Sequence, residues 1–180
     1  PYPLTVEQVS AEEASQDVLF AGLFSKTNFL DILQNFTVFE PVDGRIIKKI
    51  PRYQQFRAVH KTIERVKTGQ TPREKSGVIW HTQGSGKSLT MVFLSIKMRR
   101  DPKLRDYKLV FLTDRTQLDS QLTSTVTNTQ GETVYHADSV KGLKELLAKD
   151  ASDIVTAMVQ KFQESADDFE FPVLNESEKI

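Results

Sequence analysis

One nine-residue run constrains this chain more than any other: Trp80-His-Thr-Gln-Gly-Ser-Gly-Lys-Ser88. It follows Gly77-Val-Ile-Trp80, which reads as a short apolar strand. It opens a helix predicted from Gly86 to Arg100, with Leu89, Val92, Phe93, Ile96 and Met98 apolar. A glycine-rich turn between a strand and a helix is the setting of a phosphate cradle. Gly84 and Gly86 permit the backbone angles that turn successive N–H groups inward around an anion. The helix start adds its positive dipole end. Lys87 would reach the β- and γ-phosphates of a nucleotide, and the Ser88 hydroxyl would ligate Mg²⁺. Thr82, Gln83, Gly84, Ser85, Gly86, Lys87 and Ser88 are therefore the expected ATP·Mg²⁺-binding set, with Lys87 and Ser88 as catalytic residues. The bland alternative is a flexible Gly-Ser turn that happens to precede a lysine, and the strand–helix context argues against it.

Composition narrows the class. The chain has 180 residues with no cysteine, which excludes disulfides, thiolate catalysis, zinc–thiolate sites and iron–sulfur clusters. Hydrophobic residues are 38% and charged residues 27%, enough for one buried core and unlike a disordered tail. No stretch approaches a membrane helix, no signal-peptide pattern is legible at the N-terminus, and a cytoplasmic protein is expected. His60, His81 and His136 lack metal-ligand spacing. The formal net charge of zero conceals a pattern. Residues 1–44 carry one base and seven acids, residues 45–110 carry 17 bases and four acids, and residues 111–180 carry six bases and 13 acids. A basic middle between acidic ends suits a polyanion, although such segments also pair with one another or form solvated helix faces.

The remaining periodicities define the framework. Residues 1–35 read as helical, with capping boxes at Thr5–Gln8 and Ser10–Glu13 and with Phe29, Leu30, Ile32 and Leu33 turned inward. Residues 36–50 read as a hairpin turning at Asp43-Gly44, its basic Arg45–Lys49 run on an exposed edge. Tyr53 to Thr68 reads as a basic amphipathic helix, followed by a loop to Pro72. From residue 76, strands and helices alternate: strands at Tyr107–Thr113, Glu132–His136 and Asp153–Val159, helices at Arg115–Val126 and Ser139–Lys149. Apolar strands alternating with helices imply an α/β fold with a parallel sheet covered on both faces. Trp80 fits a buried strand and is expected to pack in the core rather than stack on a base.

The loop departs from the general Gly-x4-Gly-Lys-Ser/Thr form, because His81 occupies the first position. It matches the variant Thr-x-Gly-x-Gly-Lys-Ser/Thr found in helicases. Arg52-Tyr53-Gln54-Gln55-x-x-Ala58 resembles the adenine-reading Q-motif of superfamily 2 helicases. Gln54 or Gln55 would pair with the adenine edge, Gln54 being the better candidate. Asp114-Arg115-x-x-Leu118-Asp119-x-Gln121 and Val159-Gln160-Lys161-Phe162 follow two of the strands. Together with Ile79–Ser88, these segments are very similar to the restriction and translocation (R) subunit of type I restriction enzymes, HsdR. The resemblance implies a P-loop, RecA-like motor coupling ATP hydrolysis to movement along double-stranded DNA before remote cleavage. Residues 1–50 would link a nuclease domain to the motor, and residues 51–180 would form the N-terminal part of its first RecA-like domain. Arg115, Gln121, Gln160 and Lys161 would contact DNA, and the methylation and specificity subunits would be partners. The family continues into a strand ending in Asp-Glu-Ala-His and a second domain supplying an arginine finger, so the 180 residues alone are expected not to turn over ATP.

Two other readings stand beside this one. Leu109–Asp114, an apolar strand ending in an acid, has the form of a Walker B motif and would suit a compact P-loop kinase or GTPase-like enzyme. Arg115 to Asp119 favours the helicase segment. A non-catalytic nucleotide-binding module is the third reading.

Overall fold

The computed structural model describes residues 15–113, 134–162, 173–177 and 179–180. The chain divides into two units between Lys97 and Met98. The expected helix from Arg115 to Val126 and both N-terminal capping boxes lie outside the described residues.

The first unit begins with helices α1 (Ser15–Leu23) and α2 (Lys26–Asn35). The hairpin β1 (Val38–Val42) and β2 (Arg45–Lys49) follows, paired antiparallel from Val38↔Lys49 to Val42↔Arg45. Asp43 and Gly44 both have positive φ, 49° and 73°, the two-residue turn whose twist matches that of the strands. Helix α3 spans Tyr53–Thr68, as its periodicity predicts. A short α4 (Pro72–Lys75), which starts where the expected loop ends, is capped by Thr71 and Glu74 in a reciprocal box. Helix α5 (Lys87–Arg100) starts at the cradle.

The core of this unit is aromatic. Phe36, between α2 and β1, packs against Phe56 of α3 and Phe93 of α5 at ring-centroid distances of 4.7 and 5.4 Å. Val59, Ile63, Val92 and Ile96 are buried with them. Beside this cluster, the Asp31 carboxylate accepts from His60 Nε2 at 2.7 Å, from Lys97 Nζ at 2.6 and 2.7 Å, and from Asn35 Nδ2 at 2.6 Å. One carboxylate thus joins α2, α3 and α5. It also chooses the face that α2 buries. With Asp31, Ile32 and Phe36 turned inward, Phe29, Leu30 and Leu33 are exposed, against the expectation that all four apolar residues of α2 face the core.

The expected strand Gly77–Trp80 does not form. The segment has no ladder partner among the described residues. Trp80 is 89% and Val78 90% exposed, so the core position expected for Trp80 is corrected. Apolar content marks a segment that can pair, but a strand exists only where a neighbour satisfies its backbone.

The second unit holds a three-stranded parallel sheet in the order β3 (Leu109–Thr113), β5 (Ile154–Met158), β4 (Val134–His136). The register runs from Leu109↔Ile154 and Val134↔Ile154. Central β5 buries Ile154 to Ala157, the pattern of a strand covered on both faces. Helix α6 (Val140–Ala148), capped by the Ser139 hydroxyl, crosses from β4 to β5 and lays Leu143 against Val155, Ala157 and Ala137. Buried Lys108 donates to the carbonyls of Leu146 and Lys149 and so caps the C-terminal end of α6. Burial holds its ammonium below the usual lysine range. The fold is therefore α/β with a parallel sheet.

The Asp31 centre generates a prediction about acid stability. Burial raises the carboxyl pKa, but the bonds from His60, Lys97 and Asn35 and the Lys97 charge outweigh it and hold Asp31 well below the usual range. The folded state therefore binds the proton less tightly than the unfolded chain. The stability this contributes is full above the ordinary carboxylate range, at about pH 4, and is lost as pH falls below it. Asp31→Ala also leaves Lys97 without its carboxylate and should cost about 3 kcal/mol in urea unfolding at pH 7. In Asp31→Asn the loss on acidification below pH ~4 should be shallower than in the wild type.

Candidate nucleotide-binding site

The cradle rests on two glycines and one glutamine. Gly84 and Gly86 have φ of 75° and 84°, the left-handed region that side-chain-bearing residues rarely adopt. Ser85 N donates to Thr82 O at 3.3 Å, which closes the turn. The Ser85 hydroxyl is buried and has no partner among the described residues. Lys87, the first residue of α5, is exposed, and its Nζ donates to the carbonyls of His81 at 3.1 Å and Thr82 at 3.0 Å. An ammonium has three donors, so one remains for an anion. Ser88 is half-buried on the first turn of α5, while Thr82, Gln83 and Gly84 are exposed.

Gln55 fastens this loop to α3. Its side chain is 3% exposed. Nε2 donates to Gly86 O at 2.9 Å and, more weakly, to Ser85 O at 3.4 Å. Oε1 accepts from Arg52 N at 2.8 Å, completing the start of α3. Both ends of one amide are used, one on the helix and one on the loop. The sequence favours its neighbour Gln54 as the base reader and points to no structural role for Gln55. The available signal for that role is the place of Gln55 on the buried face of α3 with Phe56, Val59 and Ile63. Gln54 is exposed and lines a groove with Tyr53 and Arg57 that runs to Ile79, Trp80 and His81.

The expected DNA-contact residues are less gathered. Gln160 is exposed on the 3₁₀ turn Val159–Phe162 that follows β5, and Lys161 is on the same turn. Arg115 and Gln121, with Asp114, lie outside the described residues. His136 does bring a polar cluster together on the sheet: Nδ1 is 3.1 Å from Thr156 Oγ1, and Nε2 is 3.3 Å from Asp138 Oδ1. Thr156 is fully buried, so this chain of bonds orders the sheet rather than presenting a nucleophile.

The Gln55 contact makes a steric prediction. A Cβ on Gly86 would lie 2.7 Å from Gln55 Nε2, and its positive φ adds about 1–2 kcal/mol for a residue with a Cβ. Gly86→Ala should destabilise the chain by more than that backbone cost alone. Gln55→Ala should cost about 1–3 kcal/mol through the lost amide bonds. The double variant should be less destabilised than the sum of the singles, because the steric part vanishes with the amide. Additivity in urea midpoints would place the two side chains out of contact.

Comparison with known proteins agrees with this geometry. A family model described as SWI2/SNF2 ATPase matches residues 54–180, which include Gln54, Gln55, the cradle and the parallel sheet. The chain is 36% identical over 171 residues, 92% of its length, to a putative type I restriction enzyme MjaIXP endonuclease subunit of Methanocaldococcus jannaschii. It is 33% identical over 169 residues, 90% of its length, to the type I restriction enzyme HindI endonuclease subunit of Haemophilus influenzae. It covers 16% of each of these relatives. The C-terminal part of a putative type I restriction enzyme MpnIIP endonuclease subunit from Mycoplasma pneumoniae is 27% identical over 134 residues, 71% of the chain and 63% of that relative. With the matched region taking in more than two thirds of its length, and with a glycine-built cradle at the head of α5, the chain belongs to the SWI2/SNF2 ATPase family.

Proposed function

We propose that this chain is the ATP-binding part of the motor of a type I restriction endonuclease R subunit, in a RecA-like domain that couples ATP hydrolysis to translocation along double-stranded DNA before remote cleavage. The observation that carries the reading is the cradle, with Gly84 and Gly86 both in the left-handed region directly before the Lys87 helix start. Similarity to type I endonuclease subunits over about nine tenths of the chain supports the enzyme class. In the intact enzyme the methylation and specificity subunits would be partners, residues 1–50 would lead in from a nuclease domain, and the site of action would be the cytoplasm.

The residues present fit ATP and Mg²⁺. The backbone form at Gly84 and Gly86 is that of an anion nest, and the N-terminus of α5 favours negative charge. The Ser85 hydroxyl and the third donor of Lys87, which have no partner among the described residues, are polar groups with capacity to bind. Ser88 would hold the metal, which when bound offsets charge developing on the phosphate oxygens. Lys87 would turn its third donor to the nucleotide. Gln55 would keep Gly86 from relaxing as it does so. Gln54 would read the adenine edge. Arg115, Gln121, Gln160 and Lys161 would bind the DNA backbone.

Calorimetry tests the nucleotide assignment. Lys87→Ala removes a charge-assisted contact and should weaken ATP·Mg²⁺ binding by about one to two decades. Gln54→Ala should weaken ATP more than GTP, and equal losses for both would assign it a structural role. For DNA, Arg115→Ala in the intact protein should weaken binding with little sequence dependence. It should also lower the slope of log K against log salt by about one. An unchanged slope with impaired ATP binding would favour the Walker B reading of Asp114.

A further inference from the structure

The carbonyl of Gly86 accepts from three donors. Gln55 Nε2 lies at 2.9 Å, Thr90 N at 3.1 Å and Thr90 Oγ1 at 3.2 Å. A carbonyl oxygen has two lone pairs, so this one is held more fully than a helix start requires. The Thr90 N–H makes the ordinary bond from four residues on, and a threonine hydroxyl can bond back to the same carbonyl. The Gln55 amide has no such local origin. It comes from α3, 31 residues away, and the Arg52 N–H on its Oε1 fixes which end faces the loop. Gln55 and Thr90 are both buried. The peptide plane turns this hold into a direction. Across a trans peptide the C=O and the next N–H point opposite ways. With the Gly86 carbonyl turned toward α3 and the body of α5, the Lys87 N–H points out of the helix start. The Ser85 carbonyl, 3.4 Å from the same Nε2, turns the Gly86 N–H likewise. Neither N–H meets a backbone carbonyl among the described residues.

We infer that Gln55 and Thr90 are positioning residues for the phosphate chain of the nucleotide: through the carbonyl of Gly86 they aim the Lys87 and Gly86 N–H groups at it, without touching it themselves. The inference rests on the ATP reading of the cradle and adds a division of work to it. Two neighbouring glutamines at the start of α3 serve the two ends of one ligand, Gln54 the base and Gln55, through the loop, the phosphates. An N–H aimed at an anion makes a charge-assisted bond, stronger than a neutral one and weakened steeply by misalignment. A residue that only fastened the loop would change the stability of the fold and leave the affinity of folded molecules as it was. A residue that read the base would discriminate ATP from a ligand without one. Loss of an aiming residue instead falls equally on every ligand that carries the phosphate chain, because the aimed donors meet phosphate oxygens alone.

Calorimetry on the intact protein with ATP, GTP and inorganic tripolyphosphate, each with Mg²⁺, tests this, the folding of every variant being checked by circular dichroism. Gln55→Met keeps the length of the side chain and removes the donor. It should weaken all three ligands by one common factor of about ten, the worth of one charge-assisted bond. Thr90→Val keeps the shape and removes the hydroxyl. It should weaken all three by a smaller common factor, and the double variant by less than the product of the singles, because both side chains act on one carbonyl. Unchanged affinity in folded Gln55→Met would overturn the inference and leave Gln55 a fastener of the loop. A larger loss for ATP than for tripolyphosphate would also overturn it and make Gln55 a base reader. Should Gln55→Met not fold, Thr90→Val decides by the same comparison. Lys87→Ala separates this inference from the reading beneath it. If Lys87→Ala loses affinity and the Gln55 and Thr90 variants do not, the aiming fails and the ATP site stands. If Lys87→Ala binds all three ligands as the wild type does, the ATP reading itself fails.

Discussion

The bond from Gln55 Nε2 to the carbonyl of Gly86 is the constraint on which the cradle depends. A loop built on two left-handed glycines gains the freedom to wrap an anion and loses the stiffness that would keep it wrapped. Gln55 restores that stiffness from outside the loop. Its amide is buried, and with both ends bonded a second orientation would leave a donor facing a donor. The cost of such a mismatch in a buried site exceeds the worth of the bond itself. The loop is thus fixed to α3, and α3 is fixed by its packing on Phe36 and by the Asp31 centre.

That second support explains why the segment before α3 matters to the site. Phe36 sits against α3 and α5 together, and Asp31 bonds one side chain from each. Asp31 and Phe36 therefore supply anchor and core to the helices that carry Gln55 and Lys87. A buried ion pair is weak grounds for stability, because desolvation offsets much of its attraction. Here its clearest effect is geometric: it selects which side of α2 faces inward and leaves Phe29, Leu30 and Leu33 outside.

The same division between local pattern and long-range partner separates what is legible in the sequence from what is not. Helix α3 can be placed to the residue because Phe56, Val59 and Ile63 keep the helical period and Pro51 stops the preceding strand. The hairpin is legible from Asp43-Gly44, since few other dipeptides accept two positive φ angles. The cradle is legible because Gly-Ser-Gly-Lys-Ser encodes its own backbone form. Trp80 defeats the same reasoning: burial of an apolar strand is decided by its neighbours, and Gly77–Trp80 has none among the described residues. Gln54 and Gln55 are adjacent and chemically identical, so composition does not tell which one turns inward.

The sequence by itself determined the elements whose energetics are local: the glycine turn, the helix that starts at Lys87, the α3 face and the apolar β5. These follow from dihedral freedom, side-chain period and the apolar run of a strand covered on both faces, each readable within a window of a few residues. Only the tertiary structure decided which polar side chains became structural. Gln55, Asp31 and Lys108 are ordinary surface types in the sequence. Each is drawn inside because a backbone carbonyl or a charged partner from a distant segment satisfies it there, at sequence separations of 31, 66 and 38 residues. A buried polar group is tolerated only with its partner in place, and that partner is a property of the fold rather than of the residue.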